Sequence, residues 1–361
     1  MLTRTPRRTE RRLNLIAGAV GIVCVAALAI LLLASGPKRS GAPKSSGGPK
    51  SSLTPRTCRQ VGDSESPFAC ASVWNAPVSA DAPLSPQSSQ YVAQLLSQVK
   101  EYGGWINSYS YSVPVYTVAR DQPLVPVTLD ISGPGPVSAL AQTFKQGVPI
   151  PPGAKAAAGS DQHMVIWQPS TNTMWEFWHA EQVNGVWHAR WGGKMTNVSS
   201  NPGYFTSQSD WGATATGLPL LGGLIGIREL QSGQIDHALA LAIPHAAFGV
   251  VAFPAQRSDG NERTPGAIPE GTRFRLDPRL DIAALHVPEV VRILAEAAQR
   301  YGMIVRDQSY AVTLYAQDPT PLGTSPYYGS HGLFDGMSPT VLMRYFPWQA
   351  LQVVRPAKLS G

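Results

Sequence analysis

The sequence predicts a mainly β domain, a β-sandwich or jelly roll with a few peripheral helices, that follows one membrane-spanning helix. Many short runs of β-branched and aromatic residues are separated by turn residues. Only two segments, 88–104 and 288–303, repeat apolar residues at helical spacing. Gly (34 residues) and Pro (32 residues) are both frequent, which favours a loop-rich β protein. A mixed α+β domain is the alternative.

Charge and hydropathy predict the organisation of the N-terminal segment. Residues 1–12 are a basic tail, and residues 13–35 are uncharged and apolar. About 20 such residues span a bilayer core of about 30 Å, and the basic flank should stay cytoplasmic. We therefore predict a single-pass anchor in the cell membrane. The alternative is a cleaved signal peptide, but the apolar run exceeds the usual signal-peptide core.

A linker and the main domain follow the predicted anchor. Residues 36–57 are rich in Gly, Pro, Ser and Lys, a composition that buries little apolar surface, so we expect a disordered spacer. Residues 58–355 then form the predicted extracellular β-rich domain.

The positive net charge of +6 does not belong to this domain. Residues 1–60 hold 11 Lys and Arg and one acid, whereas the rest holds 18 basic and 22 acidic residues. A nucleic-acid-binding protein should carry its basic surface on the folded part. The charge distribution therefore predicts no nucleic-acid partner.

Cysteine usage is sparse. Cys24 lies within the predicted membrane span, and Cys58 and Cys70 are the two cysteines outside it. An oxidising compartment permits disulfides. We therefore predict a bridge between Cys58 and Cys70 at the start of the domain.

The predicted helices have clear end signals. The first closes at Gly103, and the second begins at Pro288 and closes at Gly302. The predicted strands cover 110–118, 123–131, 163–168, 173–180, 185–193, 237–243, 249–255, 272–276, 303–308 and 311–317.

Ionisable residues interrupt one predicted hairpin, GSDQHMVIWQPSTNTMWEFWHA at 159–180. If residues 169–172 form a four-residue loop, Val165 pairs with Glu176 and His163 pairs with Trp178. Alternate residues of a strand share a face. Asp161, His163, Glu176 and Trp178 are then expected on one face.

These residue types suit a saccharide site. Two carboxyl groups can act as acid and as base or nucleophile on a glycosidic bond. We assign Glu176 as general acid, with its pKa raised by apolar neighbours, and Asp161 as nucleophile or base. Trp175 and Trp178 would contact sugar rings. The alternative is a structural pair of His163 with Glu176.

Three further residues are candidates. His237 begins an apolar strand and would orient the substrate together with His163, or it is a structural histidine. Arg257 follows another strand and would hold a hydroxyl or a uronate, or it anchors the next loop. Arg275 alternates with apolar residues, as expected of a half-exposed strand or of a basic strip for an acidic polysaccharide. Residues 211–226 are Gly-rich and read as a surface segment.

Signatures of several enzyme classes are absent. The sequence contains no G-x-S-x-G, H-E-x-x-H or C-x-x-C. We predict no cofactor. A divalent metal held by Asp161, His163 and His237 is the alternative.

Segments between residues 70 and 355 resemble an uncharacterised family of secreted, carbohydrate-associated proteins of actinobacteria, other bacteria and fungi. The resemblance rests on SDQHMVIWQPSTNTMWEFW, PAQRSDG, IPEGTRFRLDP and neighbouring segments. The recurrent features of that family correspond to Asp161, His163, Glu176, Gly233, His237, Arg257, Arg275, Tyr301 and Gly302. The resemblance implies that Asp161, His163, Glu176, His237 and Arg257 form one site.

Together these observations predict a membrane-anchored, extracellular carbohydrate-active enzyme, with a polysaccharide as its partner. A glycoside hydrolase is favoured. The alternatives are a polysaccharide lyase, which uses a His or Tyr base and a cationic neutraliser, and a non-catalytic wall-binding module.

Overall fold

Mixed β-sheets dominate the computed structural model, which describes residues 65–356. Five α-helices are present in this range: α1 (Ser88–Tyr102), α2 (Pro136–Lys145), α3 (Ile227–Ser232), α4 (Glu289–Arg300) and α5 (Pro339–Arg344). The strands are β1 (Gly104–Asn107), β2 (Val113–Thr117), β3 (Val127–Leu129), β4 (Met164–Gln168), β5 (Thr173–Trp178), β6 (Glu181–Val183), β7 (Val186–Ala189), β8 (Trp191–Thr196), β9 (Leu239–Ile243), β10 (Ala246–Val251), β11 (Ile268–Glu270), β12 (Arg273–Leu276), β13 (Met303–Gln308), β14 (Val312–Tyr315), β15 (Gln317–Asp318) and β16 (Leu351–Val353).

Two larger sheets carry the fold. The six-stranded sheet has the order β1-β14-β9-β13-β12-β16, and the five-stranded sheet has the order β15-β2-β4-β5-β8. Both contain parallel and antiparallel pairs; β13 pairs with β9 in parallel, for example, and β14 pairs with β9 antiparallel. The prediction of a sheet-rich domain with few helices is confirmed at this level.

Strand β9 shows how the sequence sets the layers. Its neighbour Ala238 and its own Ala240 and Ala242 belong to one buried apolar cluster, whereas Leu239 and Leu241 belong to another. This is the two-residue alternation of a strand buried on both faces.

Each face of the six-stranded sheet has a different cover. Apolar residues of α1, α4 and α5, such as Leu95, Val291 and Leu342, are buried in the same cluster as Leu241. The opposite cluster combines Ala240 with Val165 of the five-stranded sheet. The six-stranded sheet therefore lies between the helices and the five-stranded sheet.

The prediction of a surface segment at 211–226 is wrong. Residues 211–227 are buried except for the half-buried Ala215, and they contribute Leu218, Leu220 and Leu221 to the core shared by the sheets. Gly223 allows the close approach: it has φ +71, and a Cβ there would lie 2.4 Å from the backbone nitrogen of Ala240. We call residues 211–222 the buried segment.

The predicted tail, membrane span and linker, together with Cys58, lie outside the described residues. The predicted anchor and the Cys58–Cys70 disulfide therefore stay predictions. Within residues 65–356, no helix combines the length and apolar character needed to cross a membrane.

Candidate functional site

The predicted hairpin forms with the predicted register. Gln168 pairs with Thr173 and Val165 pairs with Glu176 in the antiparallel pair β4–β5. The alternation of faces stops at the hairpin's open end, because Gln162 (φ 45) and His179 (φ 54) both adopt left-handed backbone conformations. Asp161, which precedes Gln162, and the residues after His179 therefore do not continue the alternation that would place them on the same face as Glu176.

Glu176 lies inside the core and not in a cleft. It is 0% exposed, and its carboxylate accepts hydrogen bonds from the backbone N–H groups of Ala213 (2.7 Å) and Leu220 (2.8 Å). Burial raises its pKa to about 7, against the opposing effect of these two N–H groups. The raised pKa was predicted, but the carboxylate has no surface on which a polysaccharide could lie.

His163 is buried beside the same segment. Burial lowers its pKa to about 4, although Asp161 and a hydrogen bond with the backbone of Ala213 act in the opposite direction. Its Nδ1 has no hydrogen-bond partner within residues 65–356. Ala213 thus links His163 to Glu176 through its backbone.

Arg257 also contacts the buried segment. Its guanidinium donates to the carbonyl oxygens of Asp210 (2.7 Å), Trp211 (3.1 Å), Gly212 (2.8 Å) and Thr214 (2.9 Å). These carbonyl oxygens use the guanidinium N–H groups of Arg257 that would otherwise bind a uronate. The geometry matches the alternative of an anchor for a neighbouring loop.

Arg306 of β13 repeats this arrangement at the C-terminal end of the buried segment. It is 1% exposed and donates to the carbonyl oxygens of Leu220 (2.9 Å) and Gly222 (3.0 Å). Glu176, Arg257 and Arg306 therefore satisfy backbone groups of a buried loop, which would otherwise be costly to bury.

His237 lies apart from this group. Its Nε2 is 3.0 Å from Oε2 of Glu229 in α3, and its Nδ1 is 2.8 Å from the carbonyl oxygen of Ala238. Burial lowers the pKa of His237, but Glu229 outweighs burial, so that the pKa is raised. At 1% exposure, it matches the alternative of a structural histidine.

The remaining predicted substrate-binding residues differ in their exposure to solvent. Arg275 is 3% exposed, which corrects the expectation of a half-exposed strand, and it donates to the carbonyl oxygen of Ser79 (2.6 Å). Trp175 is buried. Trp178 is half-buried, and its Nε1 is 3.4 Å from Oδ1 of Asp161.

The expectation of one shared cleft is therefore corrected. Of the predicted residues, Asp161 alone is among those lining a cavity of about 760 Å³ at one end of β1, β13 and β14. Six aromatic side chains line the same cavity: Trp105, Tyr109, Tyr111, Tyr310, Tyr315 and Tyr328. We call this space the aromatic cavity.

Polar groups complete the wall of the aromatic cavity. Asn261 and Gln308 line it, and the Ser108 hydroxyl lies 3.0 Å from the Tyr328 hydroxyl. Another cavity, of about 490 Å³, is lined mainly by Ser, Thr, Asn and Gln, with Lys194, Phe205 and Trp211, and no carboxylate lines it. The aromatic cavity combines six aromatic rings with the Asp161 carboxylate.

Three carboxyl groups influence Tyr315. Burial raises the pKa of Tyr315, and the charges of Asp307, Asp161 and Asp259 raise it further, against the opposing effect of Arg306. The ladder between β13 and β9 has a bulge between Val305 and Asp307. Such bulges re-aim side chains next to functional sites.

Asp259, Glu270 and Asp307 form a tight cluster, which we call the acidic trio. One carboxylate oxygen from each lies within 4.8 Å of the other two. Burial, followed by its acidic neighbours, raises the pKa of Glu270 to about 8, although Ser258 opposes this. Burial and then Asp259 raise the pKa of Asp307 to about 7.

Sequence reasoning missed Glu270 and Asp307. The available signal was a charged residue within a short apolar strand, as in AIPEG and MIVRDQ. Such residues are rarely buried without a specific partner. Which distant side chains surround Glu270 and Asp307 could not be predicted from these two runs.

Comparison of this chain with protein-family models, with curated proteins and with solved structures finds no match.

Proposed function

We propose that this protein is an extracellular carbohydrate-active enzyme that hydrolyses glycosidic bonds of a polysaccharide bound in the aromatic cavity. The observation that carries the proposal is the meeting of six aromatic side chains and Asp161 around one open space of about 760 Å³. Ligand sites of this size are typically lined by aromatic side chains with a few polar groups that fix orientation.

The exposure of the aromatic rings supports a polymeric, solvent-facing ligand. Tyr310 is 98% exposed, Tyr109 57% and Tyr328 49%. Aromatic rings combine a large apolar face with a polar tip, which suits sugar rings, since these have apolar C–H faces and polar edges. Single exposed aromatics are common, but a group around one cavity indicates a binding surface.

Asp161 is the carboxylate that we assign to the reaction. It lines the cavity and is held near Trp178 by a 3.4 Å contact with the indole N–H. We assign it as base or nucleophile on the glycosidic bond, with a tyrosine hydroxyl of the aromatic cavity as the proton donor to the leaving oxygen. Glu176 receives no catalytic role, since its carboxylate is sealed and bonded to two backbone N–H groups.

The tyrosine hydroxyls of the aromatic cavity favour a second candidate reaction, polysaccharide lysis. A lyase needs a base beside a uronate, and a Tyr can serve as that base. Lysis releases an unsaturated product that absorbs in the near ultraviolet, whereas hydrolysis releases a reducing end without this absorbance.

The test compares turnover and binding in four proteins: wild type, Asp161→Asn, Tyr310→Ala and the control Glu176→Gln. Polysaccharide extracts are assayed for new reducing ends, and binding is measured on the same extracts. We expect Asp161→Asn to lose at least about a hundredfold in turnover and keep binding, since general-base catalysis contributes roughly 10²–10⁴-fold. Glu176→Gln should keep turnover. Binding without turnover by wild type would indicate a wall-binding module instead.

The proposal also includes the location of the domain and the arrangement of its sheets. The chain is tethered to the cell membrane by residues 13–35, with the described domain outside and a polysaccharide as its partner. The two larger sheets are sandwich-like, which the apolar cluster containing both Val165 and Ala240 supports.

A further inference from the structure

The acidic trio brings together groups from three separate parts of the chain. Asp259 follows β10 in a loop, Glu270 ends β11, and Asp307 lies at the bulge of β13. One oxygen of each lies within 4.8 Å of the others. Ionised carboxylates at such distances repel strongly, so the cluster is stabilised either by protonation or by a bound cation.

Glu270 gives an independent indication that a ligand is missing. Its side chain is 0% exposed, and neither carboxylate oxygen makes a hydrogen bond of normal geometry within residues 65–356; Ser258 and Asp259 are the polar side chains close enough to affect its pKa by hydrogen bonding. By contrast, the equally buried Glu176 accepts two backbone N–H groups. A buried carboxylate with so few donors is stabilised by protonation, by a paired charge or by coordination to a metal.

The backbone around Glu270 is built for this placement. Gly271 follows it with φ +88, and a Cβ there would lie 1.6 Å from the carbonyl oxygen of Ala252. Only glycine fits such a conformation and such a close approach. The turn therefore holds the Glu270 carboxyl group close to Asp259 and Asp307 and away from solvent.

We propose that Asp259, Glu270 and Asp307 bind one divalent cation, and that this cation is Ca²⁺. Three carboxylates are hard oxygen ligands, which suit Ca²⁺ and Mg²⁺ and not the softer metals that prefer nitrogen or sulfur. Ca²⁺ takes oxygen ligands at about 2.3–2.6 Å, so ligands on opposite sides of it lie about 5 Å apart. Mg²⁺ usually keeps several waters and is held by fewer protein carboxylates.

The cation site borders the aromatic cavity. The Gln308 side chain, which lines the cavity, donates to the backbone carbonyl oxygen of Asp259 (2.8 Å). Asp259 is exposed, so the ion would have one side open to solvent. Because Ca²⁺ takes six to eight oxygen ligands, positions remain for hydroxyl or carboxylate oxygens of a saccharide. This last role rests on the proposed function, whereas the cation site itself does not.

The direct test measures cation binding to the full chain without any polysaccharide. Calorimetric titration with Ca²⁺ is combined with Tb³⁺ luminescence, since nearby tyrosines such as Tyr315 can sensitise a bound lanthanide. We expect one site per chain in wild type. Glu270→Gln and Asp259→Asn should weaken binding at least about tenfold, because affinity follows the number of charged ligands. Asp121→Asn, at an exposed carboxylate outside the trio and outside the aromatic cavity, is the matched control and should bind as wild type does.

Asp259 is exposed, so Asp259→Asn should fold even if the buried Glu270→Gln variant does not. No binding at millimolar Ca²⁺ to wild type, or equal binding to wild type and Asp259→Asn, would overturn the cation site. Ca²⁺ binding by a protein that cleaves no polysaccharide would leave the site intact and remove only the proposed function.

Discussion

Replacing Arg257 should show whether this residue holds the protein or the substrate. Its guanidinium donates four hydrogen bonds, of 2.7 to 3.1 Å, to carbonyl oxygens between Asp210 and Thr214. Hydrogen bonds to charged groups contribute about 1.5–3 kcal/mol each, and bonds within one network are not additive. We expect Arg257→Ala to lower the free energy of unfolding by about 3–5 kcal/mol.

Thermal unfolding followed by circular dichroism measures this effect. For a large domain, about 1 kcal/mol shifts Tm by about 2–4 °C, so Tm should fall by about 6–20 °C. Arg257→Lys should lie between wild type and Arg257→Ala, because lysine keeps the charge but loses the planar fork. An Arg257→Ala protein with the wild-type Tm and a strongly raised KM for polysaccharide would refute the anchoring role.

Three further predictions concern other parts of the domain. Burial raises the pKa of Glu176 from 4.5 to about 7, so between these pH values the native state binds a proton that the unfolded state does not. The free energy of unfolding should therefore fall by about 3 kcal/mol as pH rises through this window. Glu176→Gln should flatten this decline when Tm is measured as a function of pH. Gly271→Ala should lower stability by at least about 2 kcal/mol, whereas Gly329→Ala, at a similar positive φ but with nothing within 4 Å of an added Cβ, should cost less in the same denaturant titrations. Tyr310→Ala should weaken polysaccharide binding in pull-down assays with no change in Tm, since Tyr310 is 98% exposed; unchanged binding would place the ligand elsewhere.

The sequence predicted local structure well where periodicity was strong. The helices α1 and α4 begin and end within a few residues of their predicted limits, because Gly103, Pro288 and Gly302 mark their ends. The hairpin register followed from the four residues between Gln168 and Thr173. These features depend on neighbours along the chain.

The site was harder to predict because two kinds of buried charge look alike in a sequence. Glu176 and Glu270 are each a single acid within an apolar strand. The structure separates them by their partners: backbone N–H groups bond Glu176, whereas Glu270 makes no hydrogen bond of normal geometry within the described residues. Those partners come from distant segments, which no local pattern reveals.

The cavity depended on backbone detail that periodicity does not encode. Left-handed conformations at Gln162 and His179 separate Asp161 from the face of Glu176. The bulge in β13 changes the alternation between Val305 and Asp307. An alternating pattern projected across either break assigns side chains to the wrong face.

A structure of Asp161→Asn soaked with a cell-wall oligosaccharide would test most directly where this protein acts. We predict sugar density stacked on Tyr109, Tyr310 or Tyr328, with the scissile oxygen near position 161. Density at a surface without these rings, with the aromatic cavity empty, would contradict it.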